Sequence, residues 1–259
     1  MTLASCDSRK TAGENPFFTE WDTPHGVPPF DKILPEHFMP AFERGMSLHE
    51  AEIDAITSNK DEATFENTIL AYDDAGQMLA QTELVFGMLC AAETNDRMQA
   101  LQEQAMPLLA AHRDKIRLDD KLFVRVKEVY DRRAALGLDA EQMRLLQKTY
   151  DSFVRAGALL DAEQKARLKE INGQLSLTAV KFGNNILAEN NNFVLELKSD
   201  ELDGLPAGIR DAAREKARQM GKGDKWVFTL HKPSLIPLLT YSTKRDLREK
   251  IYKAYLNRC

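Results

Sequence analysis

Between residues 36 and 190, apolar side chains recur at helical spacing almost without a break, and this run constrains the fold more than any other feature. Phe38, Phe42, Met46, Ile53 and Ile56 mark a first helix. Thr64, with Asn67, is placed to cap a second run through Ile69, Leu70, Met78, Leu79, Leu84, Phe86 and Leu89. After the polar break Thr94-Asn95-Asp96 come Met98, Leu101, Met106, Leu108, Leu109 and Ile116, with Pro107 as a candidate kink. Asp119-Asp120 suit a helix N-terminus, and that helix is expected to close at Leu136-Gly137. Asp139 is expected to cap the next helix, and Asp161 the longest, which carries Leu168, Leu175, Val180, Phe182 and Ile186.

The pattern changes on both sides of this body. Residues 15–35 hold five prolines and several aromatic rings, which forbids a regular helix and predicts an ordered, extended arm packing its rings on the body. Past Asn190-Asn191-Asn192, residues 193–197 and 225–230 are short β-prone segments, expected to pair antiparallel, with a helix over 206–220 between them. A last helix is predicted over 243–257, after Pro233 and Pro237. The fold class is therefore mainly α, with one small antiparallel β pair near the C-terminal end. Thirteen glycines and ten prolines in 259 residues argue against a sandwich or barrel built on many tight turns.

A net charge of −5 argues against a nucleic-acid partner, which calls for a basic surface. The charge is unevenly spread. Residues 206–259 carry 13 Lys or Arg against 5 Asp or Glu, and residues 1–205 carry 22 against 35. No apolar run approaches the ~18–20 residues of a transmembrane helix.

Three cysteines, Cys6, Cys90 and Cys259, are too few and too far apart for a disulfide framework or a Cys-rich zinc site. Cys90 lies in an apolar stretch and reads as a small core residue. Cys6 ends Leu3-Ala4-Ser5-Cys6, which is similar to a bacterial lipobox, and a polar stretch follows. Residues 1–14 read as a disordered tether after a trimmed lipoprotein signal, with Cys6 the lipidation site of the natural precursor. The expected location is the bacterial cell envelope or periplasm, as a lipoprotein, with the cytoplasm as the alternative.

No complete active site can be assembled from residue chemistry. His49-Glu50-Ala51-Glu52-Ile53 is a near miss of the zinc peptidase motif HExxH, which needs a second imidazole where Ile53 stands. The expectation there is an ordinary helix with Ile53 inward and His49 and Glu50 in solvent. His25 and His231 read as hydrogen-bonded structural histidines. Asp73-Asp74 and Asp119-Asp120 are adjacent pairs whose side chains do not face each other on a helix, which argues against acid–base pairing. There is no nucleophile elbow or phosphate loop, and Gly221-Lys222-Gly223-Asp224 reads as a turn.

Longer stretches carry a resemblance. NPFF at 15–18, PPFDKILPEHFMPAFERGM at 28–46, ATFENTILAYDDAGQML at 63–79 and AAETNDRMQAL at 91–101 come first. LFVRV at 122–126, RRAALGLDAEQMRLLQ at 132–147 and FVRAGALLDAEQKARLKEIN at 153–172 follow, then the closing 224–258. In order and spacing these resemble the N-terminal region of the thimet oligopeptidase family of zinc metallopeptidases, and most of all the bacterial peptidyl-dipeptidases (dipeptidyl carboxypeptidases). The resemblance implies a helical fold forming one wall of a channel that admits short peptides. It also implies an opposite wall whose HExxH and downstream Glu bind zinc. No catalytic or metal residue carries over to this chain, which is expected to need no cofactor and to be inactive alone. The domain reading that follows is an arm over 15–35, a helical body over 36–190 and a truncated segment over 191–259, whose partner is a missing C-terminal catalytic region. The rival expectation is a helical peptide-binding or scaffold lipoprotein without catalysis.

Overall fold

A computed structural model describes residues 15–259, which fall into two compact units, residues 15–177 and 178–259. The first is wholly helical apart from its entry arm. The arm is bent by short 3-10 turns at Pro16–Phe18, Pro24–Gly26 and Pro35–His37, where proline supplies the fixed φ and the missing N–H costs nothing. Its aromatic rings do pack on the body. Phe17 is buried with its ring centroid 5.3 Å from that of Phe38, and Trp21 donates from Nε1 to the Pro16 carbonyl at 2.9 Å.

Helices α1 (Phe38–Ser58), α3 (Gln77–Ala92) and α4 (Asp96–Arg117) build the first core. Phe86 meets Phe38 at 4.9 Å and Phe42 at 5.3 Å, both edge-on, an arrangement that favours contact between ring edge and face. Gly45 lets α1 lie against α3, because a Cβ there would sit 3.0 Å from the Leu79 Cα. The second core joins α5 (Asp120–Asp131) and α6 (Ala140–Arg155) to the segment 65–74, with Ile69, Leu122, Val126, Leu146 and Phe153 all fully enclosed. Each such side chain contributes about 1.5–3 kcal/mol by leaving water.

The caps expected at Thr64, Asp119, Asp139 and Asp161 form, and Asn95 adds one where only a polar break was expected. The side chains of Asn95, Asp119, Asp139 and Asp161 accept from the backbone N–H three residues on, at 2.8–3.1 Å. The helix after Asp161, α7 (Ala162–Asn192), is the longest, and the division between the units falls inside it.

Two expectations in this unit need correction. The run opening at Thr64 is not one helix. It begins as a wide π turn at Phe65–Leu70, continues as α2 (Ala71–Asp74) and breaks at Ala75-Gly76 before α3. Gly76 sits at φ +78 and its N–H donates to the Glu52 carboxylate at 2.7 Å, so the break is held from α1. The helix expected to close at Gly137 stops earlier, at Asp131, and a short 3-10 turn at Arg133–Ala135 carries the chain to Gly137.

In the second unit, β1 (Leu195–Leu197) pairs antiparallel with β2 (Trp226–Phe228), with Leu195 opposite Phe228. Helix α8 (Ala207–Gln219) packs over β2, and α10 (Arg245–Leu256) closes a core of Leu197, Phe228, Leu238 and Ile251. Between strand and final helix lies α9 (Lys232–Tyr241), absent from the sequence expectation. Pro233 stands in the first turn of this helix, where its ring is pre-set for it, and Pro237 is carried one turn later.

Candidate functional site

A polar cluster in the first unit is built on His49 and His112, which α1 and α4 bring together from 63 residues apart. His112 Nε2 and His49 Nδ1 are 3.1 Å apart, with ring centroids 5.1 Å apart. One ring must donate and the other accept, so this contact requires at least one neutral imidazole. The His112 side chain is only 3% exposed. Its Nδ1 has no aligned hydrogen-bond partner, although the Glu50 carboxylate lies 3.5 Å away. Glu50 is engaged by Lys115 at 2.8 Å, which holds its carboxyl below the usual range. Burial lowers the proton affinity of both imidazoles, and the neighbouring His112 adds to the effect on His49. The Gly76 break presses on the same ring, since a Cβ on Gly76 would fall 2.8 Å from His49 Nδ1.

The near miss of HExxH therefore behaves differently from expectation. Ile53 points inward, at 5% exposure. His49 and Glu50, expected in solvent, are half-buried and partnered, because α4 crosses α1 at that level. Among the described residues no group of three or more His, Cys, Asp or Glu is arranged to hold a metal ion. The described residues thus do not fit a zinc centre. The cluster's chemistry is that of a structural, proton-sensitive contact.

The other singled-out residues are scattered. His25 is exposed, with a left-handed φ of 60°, and His231 is exposed as the N-cap of α9; neither is the hydrogen-bonded structural residue expected. Asp73 and Asp74 are exposed on α2. Asp119 caps α5, while Asp120 pairs with the buried Lys165 of α7. Cys90 is half-buried against the Phe86 cluster, and burial pushes its thiol up. Cys259 is exposed. Cys6 lies outside the described residues.

One residue that matters was not singled out. Arg125 on α5 is buried, at 9% exposure, and its guanidinium donates to the carbonyls of Asn59 and Asp61 and to Asn67 Oδ1 at 3.0–3.1 Å. That same Oδ1 accepts from the Thr64 N–H and the Thr68 hydroxyl, each at 2.8 Å. The Asn-Thr pair of the segment 63–79 is thus the keystone of the π turn. An open groove of about 710 Å³ lies between the arm, the end of α2 and α3, lined by Phe17, Phe18, Asp73, Gln77, Gln81 and Leu84.

No family model matches the chain. It is similar to the dipeptidyl carboxypeptidase of Escherichia coli (strain K12), 37% identical over 241 residues, which is 93% of this chain and 35% of that protein. The dipeptidyl carboxypeptidase of Salmonella typhimurium is 35% identical with the same coverage. Oligopeptidase A of Escherichia coli is 26% identical over 91% of this chain and 35% of its own length. The chain spans about a third of the length of these relatives. The resemblance carried by the sequence is thus shown along nearly all of the chain, to the N-terminal region of this oligopeptidase family, and more to dipeptidyl carboxypeptidase than to oligopeptidase A.

Proposed function

We propose that this chain is the non-catalytic N-terminal part of a zinc metallopeptidase that removes C-terminal dipeptides from short peptides, and that it forms one wall of the substrate channel. The observation that carries the reading is the 37% identity to dipeptidyl carboxypeptidase over 93% of the chain. In this reading zinc and the residues that activate water belong to a catalytic region beyond these 259 residues, and this chain supplies shape rather than chemistry. The open groove beside the arm, with rings, amides and one carboxylate on its walls, offers both apolar and hydrogen-bonding contacts to an extended peptide. The lipobox-like Leu3 to Cys6 supports an envelope lipoprotein, tethered through Cys6.

Reading the gene on both sides tests this account. It predicts a signal sequence upstream and an open frame reaching HExxH downstream. A stop codon after Cys259 would favour a helical peptide-binding or scaffold lipoprotein. In the natural precursor, Cys6→Ala is expected to abolish lipid incorporation seen by mass spectrometry, and unchanged incorporation would remove the anchor from the account.

A further inference from the structure

The contact between His49 and His112 is joined to the groove beside the arm through a single glycine. Gly76 stands between Ala75 and Gln77, which line that groove together with Asp73. Its carbonyl accepts from the Ala80 N–H at 2.9 Å at the start of α3, and Ala80 and Gln81 line the groove as well. On its other side Gly76 packs on the His49 ring so closely that only a hydrogen fits, since a Cβ would fall 2.8 Å from Nδ1. Nδ1 is also the atom that His112 Nε2 approaches at 3.1 Å. The His49 ring therefore cannot part from His112 without changing its contact with Gly76. Gly76 in turn cannot move without carrying the first turn of α3.

The pair tolerates one added proton and not two. While one ring is neutral, a single N–H lies between the facing nitrogens and the contact holds. A second proton puts an N–H on both, and two like charges then face each other across 3.1 Å. The carboxylates around the rings are already engaged. Glu50 pairs with Lys115 at 2.8 Å, Glu83 of α3 with Arg113 at 3.4 Å, and Glu52 accepts from the Gly76 N–H at 2.7 Å. Arg113 and Arg117 of α4 add positive charge, and Tyr72 of α2 completes the titratable groups on this side. A cavity of about 170 Å³ opens beside both rings and gives protons a path from solvent. His112 is enclosed, at 3% side-chain exposure, and His49 is half-buried, so His49 is the ring free to move.

We propose that a second proton on the His49 and His112 pair drives the rings apart and shifts Gly76, so that the groove wall from Asp73 to Gln81 changes shape on acidification. The switching element is the break between α2 and α3, held at φ +78 by a glycine rather than by a continuous helix. The inference concerns the wall itself and stands whether or not a peptide occupies the groove.

The test is amide and imidazole NMR on the full ¹⁵N-labelled chain, titrated from about pH 7.5 to 5 with no ligand present. The Ala75, Gly76, Gln77 and Ala80 amides are expected to shift together, with a midpoint below about 6.5 that matches the later of the two ring titrations. The amide of Ile251, in the core of the second unit, is expected to stay in place. The double variant His49→Asn, His112→Gln should hold the wall amides still over the same range. His112→Gln alone leaves no second imidazole to charge, so it should do the same, and it serves if the double variant does not fold. Glu52→Gln, whose amide oxygen still accepts from Gly76, should keep the shift at the same midpoint, which separates the pair from a titrating carboxylate. Rings that titrate while the wall amides stay unmoved would overturn the proposal. Wall shifts that persist in His112→Gln, or vanish in Glu52→Gln, would overturn it as well.

Discussion

Replacing Arg125 with methionine keeps the apolar stem of the side chain and deletes three hydrogen bonds at once. The guanidinium bridges α5 to the Asn59 and Asp61 carbonyls and to Asn67 Oδ1, at 3.0–3.1 Å. A hydrogen bond from a charged group is worth about 1.5–3 kcal/mol, so three set an upper bound of about 4.5–9 kcal/mol. The bound is not reached, because Asp61 is exposed and Asn59 partly so, and their carbonyls regain water when the guanidinium leaves. Asn67 Oδ1 also keeps its contacts to Thr64 and Thr68. Removing a buried, unpaired cation returns some desolvation energy as well. A net loss of about 2–4 kcal/mol is expected for Arg125→Met. Arg125→Lys should recover little of it, since one ammonium cannot span acceptors set around a fork. Urea denaturation followed by circular dichroism reads this as a lower midpoint at unchanged slope. A loss below about 1 kcal/mol would refute the view that Arg125 locks the π turn to α5.

Other consequences of the fold can be measured alongside. Acidification should weaken the contact between α1 and α4. His49 and His112 both have proton affinities lowered from 6.5, so the unfolded chain binds more protons than the folded one as pH falls. The stabilisation is full above about pH 6.5 and is lost as pH drops through the lowered folded values. The wild-type melting temperature should therefore fall more between about pH 7.5 and 5 than that of the double variant His49→Asn, His112→Gln, whose amides keep the contact without titrating; superimposable profiles would contradict this. Gly76→Ala places a methyl group against the His49 ring at φ +78, and a destabilisation of about 1–3 kcal/mol by urea titration is expected. Leu84 and Met88 on α3 are 65% and 42% exposed, so concentration-dependent association should appear in analytical ultracentrifugation and diminish in Leu84→Glu, Met88→Glu.

Much of the fold was legible because its signals are local. Asp119, Asp139 and Asp161 announce their helices within four residues, and the Leu195 and Val227 segments differ in period from everything before them. What sequence reading missed is non-local or ambiguous. The Gly76 break hides inside a continuous apolar run, and it is fixed by Glu52, 24 residues upstream. Pro233 signals equally the end of one helix and the first turn of another. The His49 and His112 contact spans 63 residues and Arg125 reaches back 58–66, distances at which neither periodicity nor spacing says anything. The groove beside the arm was illegible for the same reason, since Phe17 and Leu84 meet only in the folded chain.

The central claim is that this chain shapes a peptide channel whose chemistry lies elsewhere. Release of the C-terminal dipeptide from an N-blocked tetrapeptide, followed by mass spectrometry with zinc supplied, tests it most directly. The account predicts no release by residues 1–259 alone, and release once the downstream reading frame is joined to them. Hydrolysis by these 259 residues alone, or none by the extended protein, would contradict it.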